Sequence, residues 1–205
     1  MNRQKVFIVL VIAIVGVTII NFLNVGEASE EYMARIEEER KTKNGFMLSG
    51  GSPIPKEERN SFTGLNFFPI NEEFKVLAKV TPVSRKQPVF IPTTTGESKK
   101  YIPYAYAEFE LKGSNHRVLL YQDWEENNPN RLSLMFADET SGDATYGGGR
   151  YIDVMKSNGN SIIIDFNSAY NPYCHFNEEW SCPIPPRENL LEVAIEAGER
   201  IYKDI

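Results

Sequence analysis

The chain has little of the equipment on which soluble catalysis most often rests. Its 205 residues include two cysteines, two histidines and two tryptophans. His116 and His175 lie far apart, and no CxxC or HxxxH spacing occurs, so no ligand set for a zinc site is present and no metal is expected. No serine stands in a GxSxG context, which removes the nucleophile elbow of the common serine hydrolases. The one glycine run, TYGGGR at 145–150, is not followed by Lys-Ser/Thr and has no strand-to-helix context. It is therefore neither a phosphate-binding P-loop nor a dinucleotide fingerprint, and no cofactor is called for. Basic residues are also short: 22 against 28 acidic, a formal charge of −6. Without Arg3 and Lys5 the balance is 20 against 28, or −8. Nucleic acid and anionic lipid surfaces need a basic patch, so this charge argues against both. There is no internal repeat and no low-complexity tract.

Charge is missing altogether from residues 6–23, VFIVLVIAIVGVTIINFL. As a helix this run spans ~27 Å, close to the ~30 Å hydrocarbon core of a bilayer. Arg3 and Lys5 precede it, and Glu27, Glu30 and Glu31 come after it. By the positive-inside rule the N-terminus stays in the cytoplasm, and the rest of the chain is exported to the periplasm or the cell exterior. The competing reading is a signal peptide cleaved near Ala28, after the weak small-x-small triplet Gly26-Glu27-Ala28. No cysteine comes after the run, so lipid attachment there is excluded. The organisation read from the chain is a membrane anchor over residues 1–24, a helical stalk and linker over 25–51, and a β-rich domain over 52–205. In the stalk, Ser29 can cap a helix with Glu30 and Glu31 at its positive end, and Lys43-Asn44-Gly45 ends it. Only Tyr32, Met33 and Ile36 give it an apolar stripe.

From Phe62 onward the period changes. Strands are predicted over 74–80, 88–91, 104–111, 117–121, 132–136, 151–155 and 162–166, separated by Pro, Gly and Asn-rich turns. In the third, Ala105, Ala107, Phe109 and Leu111 share one face, opposite Tyr104, Tyr106, Glu108 and Glu110. Asn158-Gly159 reads as a type I′ hairpin between the last two strands. In residues 189–202, Leu191, Val193 and Ile195 alternate with Glu192 and Glu196, and Gly198 disfavours a helix, so a hairpin is expected. The fold class is therefore all-β: an antiparallel sandwich or partly closed barrel, preceded by one transmembrane helix and a short stalk helix.

These segments carry a resemblance. FTGLNFFP (62–69), PTTTGE (92–97), YQD (121–123), FADETSG (136–142), TYGGGRYID (145–153), DFN (165–167), YNPYC (170–174), CPIPP (182–186), EN (188–189) and AGE (197–199) occur in the order of the bacterial domain-of-unknown-function family 1684, which the chain resembles from about Ser52 onward. The resemblance implies no activity, ligand or catalytic residue. The apolar anchor and stalk in front are a departure that concerns location only.

The polar residues of the stretch from Phe136 to Pro183 are the candidate ligand-binding set: Asp138, Tyr146, Arg150, Asp165, Asn167, Tyr170 and Asn171. A glycine run lets backbone N–H groups approach an anion, and Arg150 could complete a carboxylate or phosphate site. Asp138 and Asp165 sit at strand ends or in apolar runs, where a carboxylate needs a partner or a shifted pKa. The alternative is a satisfied network that holds loops together. Cys174 and Cys182 are the candidate disulfide, the default for two cysteines in an exported protein; buried free thiols are the alternative. Three functions are compatible with these features. The first is a tethered extracytoplasmic domain that binds a small ligand or an envelope protein without chemistry. The second is a hydrolase-like enzyme with Asp138 or Asp165 as acid or base and Arg150 on an anionic group. The third is a structural component of an envelope complex. Whether the protein is an enzyme stays open at this level.

Overall fold

The computed structural model describes residues 29–202. The predicted membrane span at 6–23 lies outside the described residues, and among those described no helix is long and apolar enough to cross a membrane. Packing divides the chain after Glu38. Of the first unit, only the opening half of helix α1 (Ser29–Met47) is described, with Glu30 and Glu31 in its first turn, where carboxylates oppose the helix dipole.

The second unit, from Glu39, holds the rest of α1 and seven strands: β1 (Lys75–Pro82), β2 (Val89–Pro92), β3 (Ser98–Leu111), β4 (Ser114–Asp123), β5 (Arg131–Phe136), β6 (Arg150–Met155) and β7 (Ser161–Asp165). All seven match predicted strands, with boundaries shifted by a few residues except in β3. The helix runs past Asn44-Gly45, the expected stop. Asn44 Nδ2 donates back to Arg40 O at 3.1 Å, its Oδ1 accepts from Leu65 N at 2.7 Å, and Met47 packs with Ile54 and Leu65. A side chain that satisfies the helix and a loop at once removes the reason to end there.

The strands form one antiparallel sheet in the order β6-β5-β4-β3-β1-β7. β3 is long enough to be edged by two strands: β1 pairs with its second half (Val80 opposite Ala107) and β2 with its first (Ile91 opposite Lys99). The end strands β6 and β7 come back into contact without a ladder, so the sheet is a curled half-barrel rather than a sandwich. Its concave face carries the main core, including Val76, Ala78, Ala107, Phe109, Val118, Leu120, Leu134, Phe136, Ile152, Ile162 and Ile164. The opposite face carries a smaller cluster of Ile91, Tyr101, Leu119, Tyr121 and Met135. Ala105, Ala107, Phe109 and Leu111 are buried as expected, but a register shift between Pro103 and Ala105 breaks the alternation. It places Tyr104 against the main core and Tyr101 and Tyr106 on the other side.

Two expectations are corrected. Asn158-Gly159 does not close a hairpin: β6 pairs with β5 and β7 with β1, at opposite edges of the sheet, and neither residue has positive φ. Burying Ile162 opposite Ala78 and Ile164 opposite Val76 outweighs the local turn preference. The tight turn is Lys112-Gly113, both left-handed (φ 51° and 75°), between β3 and β4. Residues 190–202 form no hairpin either. They run extended with isolated bridges to Ala137 and Phe67, and bury Leu191, Ile195 and Ala197. The alternation was legible, but the backbone has no partner strand. Gly198 is no hairpin turn. It has φ 75°, and a Cβ there would lie 2.6 Å from Ala169 O and 2.7 Å from Phe166 O.

Candidate functional site

Arg150 begins β6 directly after Gly149, whose own φ of 84° and contact with Phe136 O leave no room for a side chain. Its guanidinium is fully buried. Nη2 donates to Asp138 Oδ2 at 2.8 Å and to Ile195 O at 2.8 Å; Nη1 donates to Glu199 O at 3.1 Å and also to Ala197 O. The three carbonyls belong to alternate residues of the extended C-terminal segment. Arg150 thus takes the place of the missing partner strand. Burial pushes its pKa down, opposed by Asp138. Asp138 is saturated in turn: Oδ1 accepts from Thr140 Oγ1 at 2.6 Å, Thr140 N at 2.8 Å and Ile195 N at 3.3 Å.

The other predicted residues scatter over three places. Asp165 caps a 3-10 turn, accepting from Asn167 N at 3.0 Å, while Asn167 exchanges hydrogen bonds with the backbone of Asn71 at 3.0 and 2.8 Å. Tyr170 donates to Asp153 Oδ1 at 3.2 Å, and its ring lies 4.3 Å from the Lys43 ammonium. Asn171 N donates to Glu199 Oε2 at 2.8 Å and its Nδ2 to Arg200 O at 2.8 Å; Lys43 pairs with the other Glu199 oxygen. Burial pushes Lys43 down, against the pull of Glu199. Glu199, through its backbone carbonyl on Arg150, joins this group to the Arg150 cluster. Tyr146 is elsewhere, with its ring 4.7 Å from His175 and its hydroxyl 3.8 Å from Cys174 Sγ.

The expected disulfide is not formed. Cys174 and Cys182 are buried free thiols, and Cys174 N–H donates to Cys182 Sγ at 3.1 Å. Among the described residues no group of three His, Cys, Asp or Glu side chains could hold a metal.

Side chains facing an open concavity are different ones. A groove of roughly 550 Å³ lies between residues 81–85, which end β1 and begin the loop after it, and the convex side of β3 and β4, lined by Val83, Arg85, Tyr106, Arg117, Tyr121 and Glu188 among others. Arg117 stacks on Tyr106 at 3.6 Å and makes only a long, exposed contact of 3.8 Å with Glu108. Arg85 is exposed, and no ion pair engages it among the described residues. Tyr121 is shifted well up by burial and then by Glu188. Flat aromatic walls with guanidinium groups at the rim suit an anion that has an apolar part. A second concavity, of roughly 580 Å³, has Lys79 and Arg117 facing Glu108 and Glu110, so its charges largely answer each other. The first groove is not legible in the sequence because Arg85, Tyr106, Arg117 and Glu188 come from four separate segments. The one signal was the stretch TPVSRKQP at 81–88, which has two cations and no acid.

A family model for proteins of unknown function, DUF1684, matches residues 60–200. An uncharacterized protein of Haloarcula marismortui, solved by NMR in solution, is similar at 32% identity, over 84% of this chain and 95% of that one, with a TM-score of 0.67. No curated protein matches.

Proposed function

Because the chain belongs to the DUF1684 family of proteins of unknown function, its role has to be read from its own groups, and we propose that it is a non-catalytic binding domain, tethered to the membrane and exported, whose groove at Arg85, Tyr106, Arg117 and Tyr121 takes a small anionic ligand with a flat apolar part. One observation carries this reading. The polar side chains that could do acid, base or anion chemistry in the predicted pocket are tied up inside the protein, whereas Arg85 and Arg117 face open space. A hydrolase using Asp138 with Arg150 loses its support on the same observation, since a base with both oxygens bonded and no exposure cannot reach a substrate.

The test is a titration of the full chain with phenyl phosphate, read by NMR. Saturable shifts are expected for Tyr106, Arg117, Leu119 and Tyr121, with binding lost in the Arg85→Ser/Arg117→Ser double variant. Shifts elsewhere, or saturation unchanged in the double variant, would sink the groove, and an absence of any saturable shift would favour the purely structural envelope role.

Tethering and export rest on residues 6–23 and the Arg3/Lys5 asymmetry. Intact mass of the membrane-extracted protein is expected to correspond to the uncleaved chain. A mature start near Ser29 would replace the anchor by a cleaved signal, and recovery in the cytosol would overturn export.

A further inference from the structure

The groove that holds Arg85 and Arg117 also carries a charge of the other sign. Glu188 stands in a 3-10 turn (Arg187–Asn189) that follows Pro185-Pro186. Its neighbour Asn189 ties this turn to the sheet, accepting from Leu119 N at 2.7 Å and donating to Met135 O at 2.8 Å. The backbone of Glu188 is thus fixed beside β4, with its exposed side chain on the groove wall. No ion pair engages Glu188 among the described residues, although two guanidinium groups line the same groove. The sheet keeps these charges apart. Val83 N donates to Tyr104 O at 3.2 Å, so residues 83–85 run along β3 on the side away from β4, whereas Asn189 bridges β4 and β5. With β3 and β4 between them, the backbones of Arg85 and Glu188 lie at least two strand spacings apart, roughly 10 Å. The floor between the walls is apolar and flat: Tyr106 pairs with Leu119 across β3 and β4, and Tyr121 follows on the same face. Burial, and then Glu188, push the Tyr121 phenol well up, so it stays neutral and adds no charge to the floor.

We propose that the groove selects an aromatic zwitterion, with an anionic group at Arg85 and Arg117, the ring on Tyr106, Leu119 and Tyr121, and a primary ammonium at Glu188. This rests on the reading of the groove as an anion site and names the class of ligand that fits the rest of it. An ionised carboxylate only accepts hydrogen bonds, so the group that answers Glu188 is a donor, and a cationic one gains most. A ligand that is only anionic gains from the two guanidinium groups and loses to Glu188 in the same cleft. Charges of opposite sign on opposite walls therefore discriminate by repulsion as well as by attraction. The width between the walls sets the second requirement: the ammonium must stand on the far side of the ring from the anion, carried on a short arm, rather than on the same carbon.

The experiment compares two aryl phosphates that differ only at the para position, 4-(2-aminoethyl)phenyl phosphate and 4-ethylphenyl phosphate, each titrated into the full chain at low salt and neutral pH and read by NMR. The amine is expected to bind roughly two- to fivefold tighter, the range of one exposed ion pair, and the gap should close as salt is raised. Glu188→Gln should weaken the amine and tighten the ethyl compound, so that the two converge. Opposite shifts of this kind cannot come from a variant that has merely lost its fold, which would weaken both. Equal affinities in the wild type, a preference that survives in Glu188→Gln, or a variant that weakens both compounds alike would overturn the zwitterion while the anion groove stands. Binding of neither compound at the groove would remove the groove reading itself, and this inference with it.

Discussion

At the scale of single residues, Arg150 decides most. It was legible as the one arginine in a polar, glycine-rich stretch, and so was the choice between site and scaffold. What could not be read was that its acceptors are backbone carbonyls of residues 195, 197 and 199, because carbonyls leave no trace in a sequence. The consequence is measurable. Arg150→Met leaves Asp138 charged and buried beside orphaned carbonyls, so urea denaturation should show a loss of about 3–5 kcal/mol, with part recovered in Asp138→Asn/Arg150→Met. A loss within the noise would mean that the pair is not what holds the segment. His175 carries a second expectation. Burial lowers it from 6.5 to about 4, so the unfolded chain binds more protons between these values. Its contribution to stability is complete above 6.5 and is lost as pH falls toward 4. The melting temperature should decline across that window, and His175→Gln should flatten the decline. An equally steep variant would place the titration elsewhere.

At the scale of elements, the seven strands were visible because alternating apolar residues and turn chemistry are local. Pairing is not local, and there the Asn158-Gly159 signal misled. Nor could any pattern show Asn189. Fully buried, it accepts from Leu119 N at 2.7 Å and donates to Leu119 O and Met135 O at 2.9 and 2.8 Å. One side chain spans β4 and β5 where their ladder is reduced to Tyr121 opposite Ser133. Asn189→Ala orphans three buried backbone groups and should cost on the order of 3 kcal/mol. Hydrogen exchange is the sharper readout: the Leu119 amide should lose protection before its neighbours in β4. Gly198→Ala tests a neighbouring contact. Left-handed strain and overlap with Ala169 O and Phe166 O should together cost about 2–5 kcal/mol.

At the scale of the whole molecule, the half-barrel leaves its concave core to be finished by chain that belongs to no strand. Leu191, Ile195 and Ala197 fill it, and their backbone is fastened by Arg150. The alternating apolar positions announced that this segment is half-buried, but composition could not say that it is a closing strap rather than an eighth strand. A chain stopped after residue 194 is accordingly expected not to fold: far-UV circular dichroism and cooperative melting should both be lost, although every strand is present. Native-like cooperative unfolding of that truncation would show that the sheet is self-sufficient.

Synthesis runs from the N-terminus, so this strap is made after every strand of the sheet. Until residues 195–199 have emerged, Arg150 and Asp138 have nowhere dry to go and the curled sheet has an open, wet interior. The nascent domain cannot lock early.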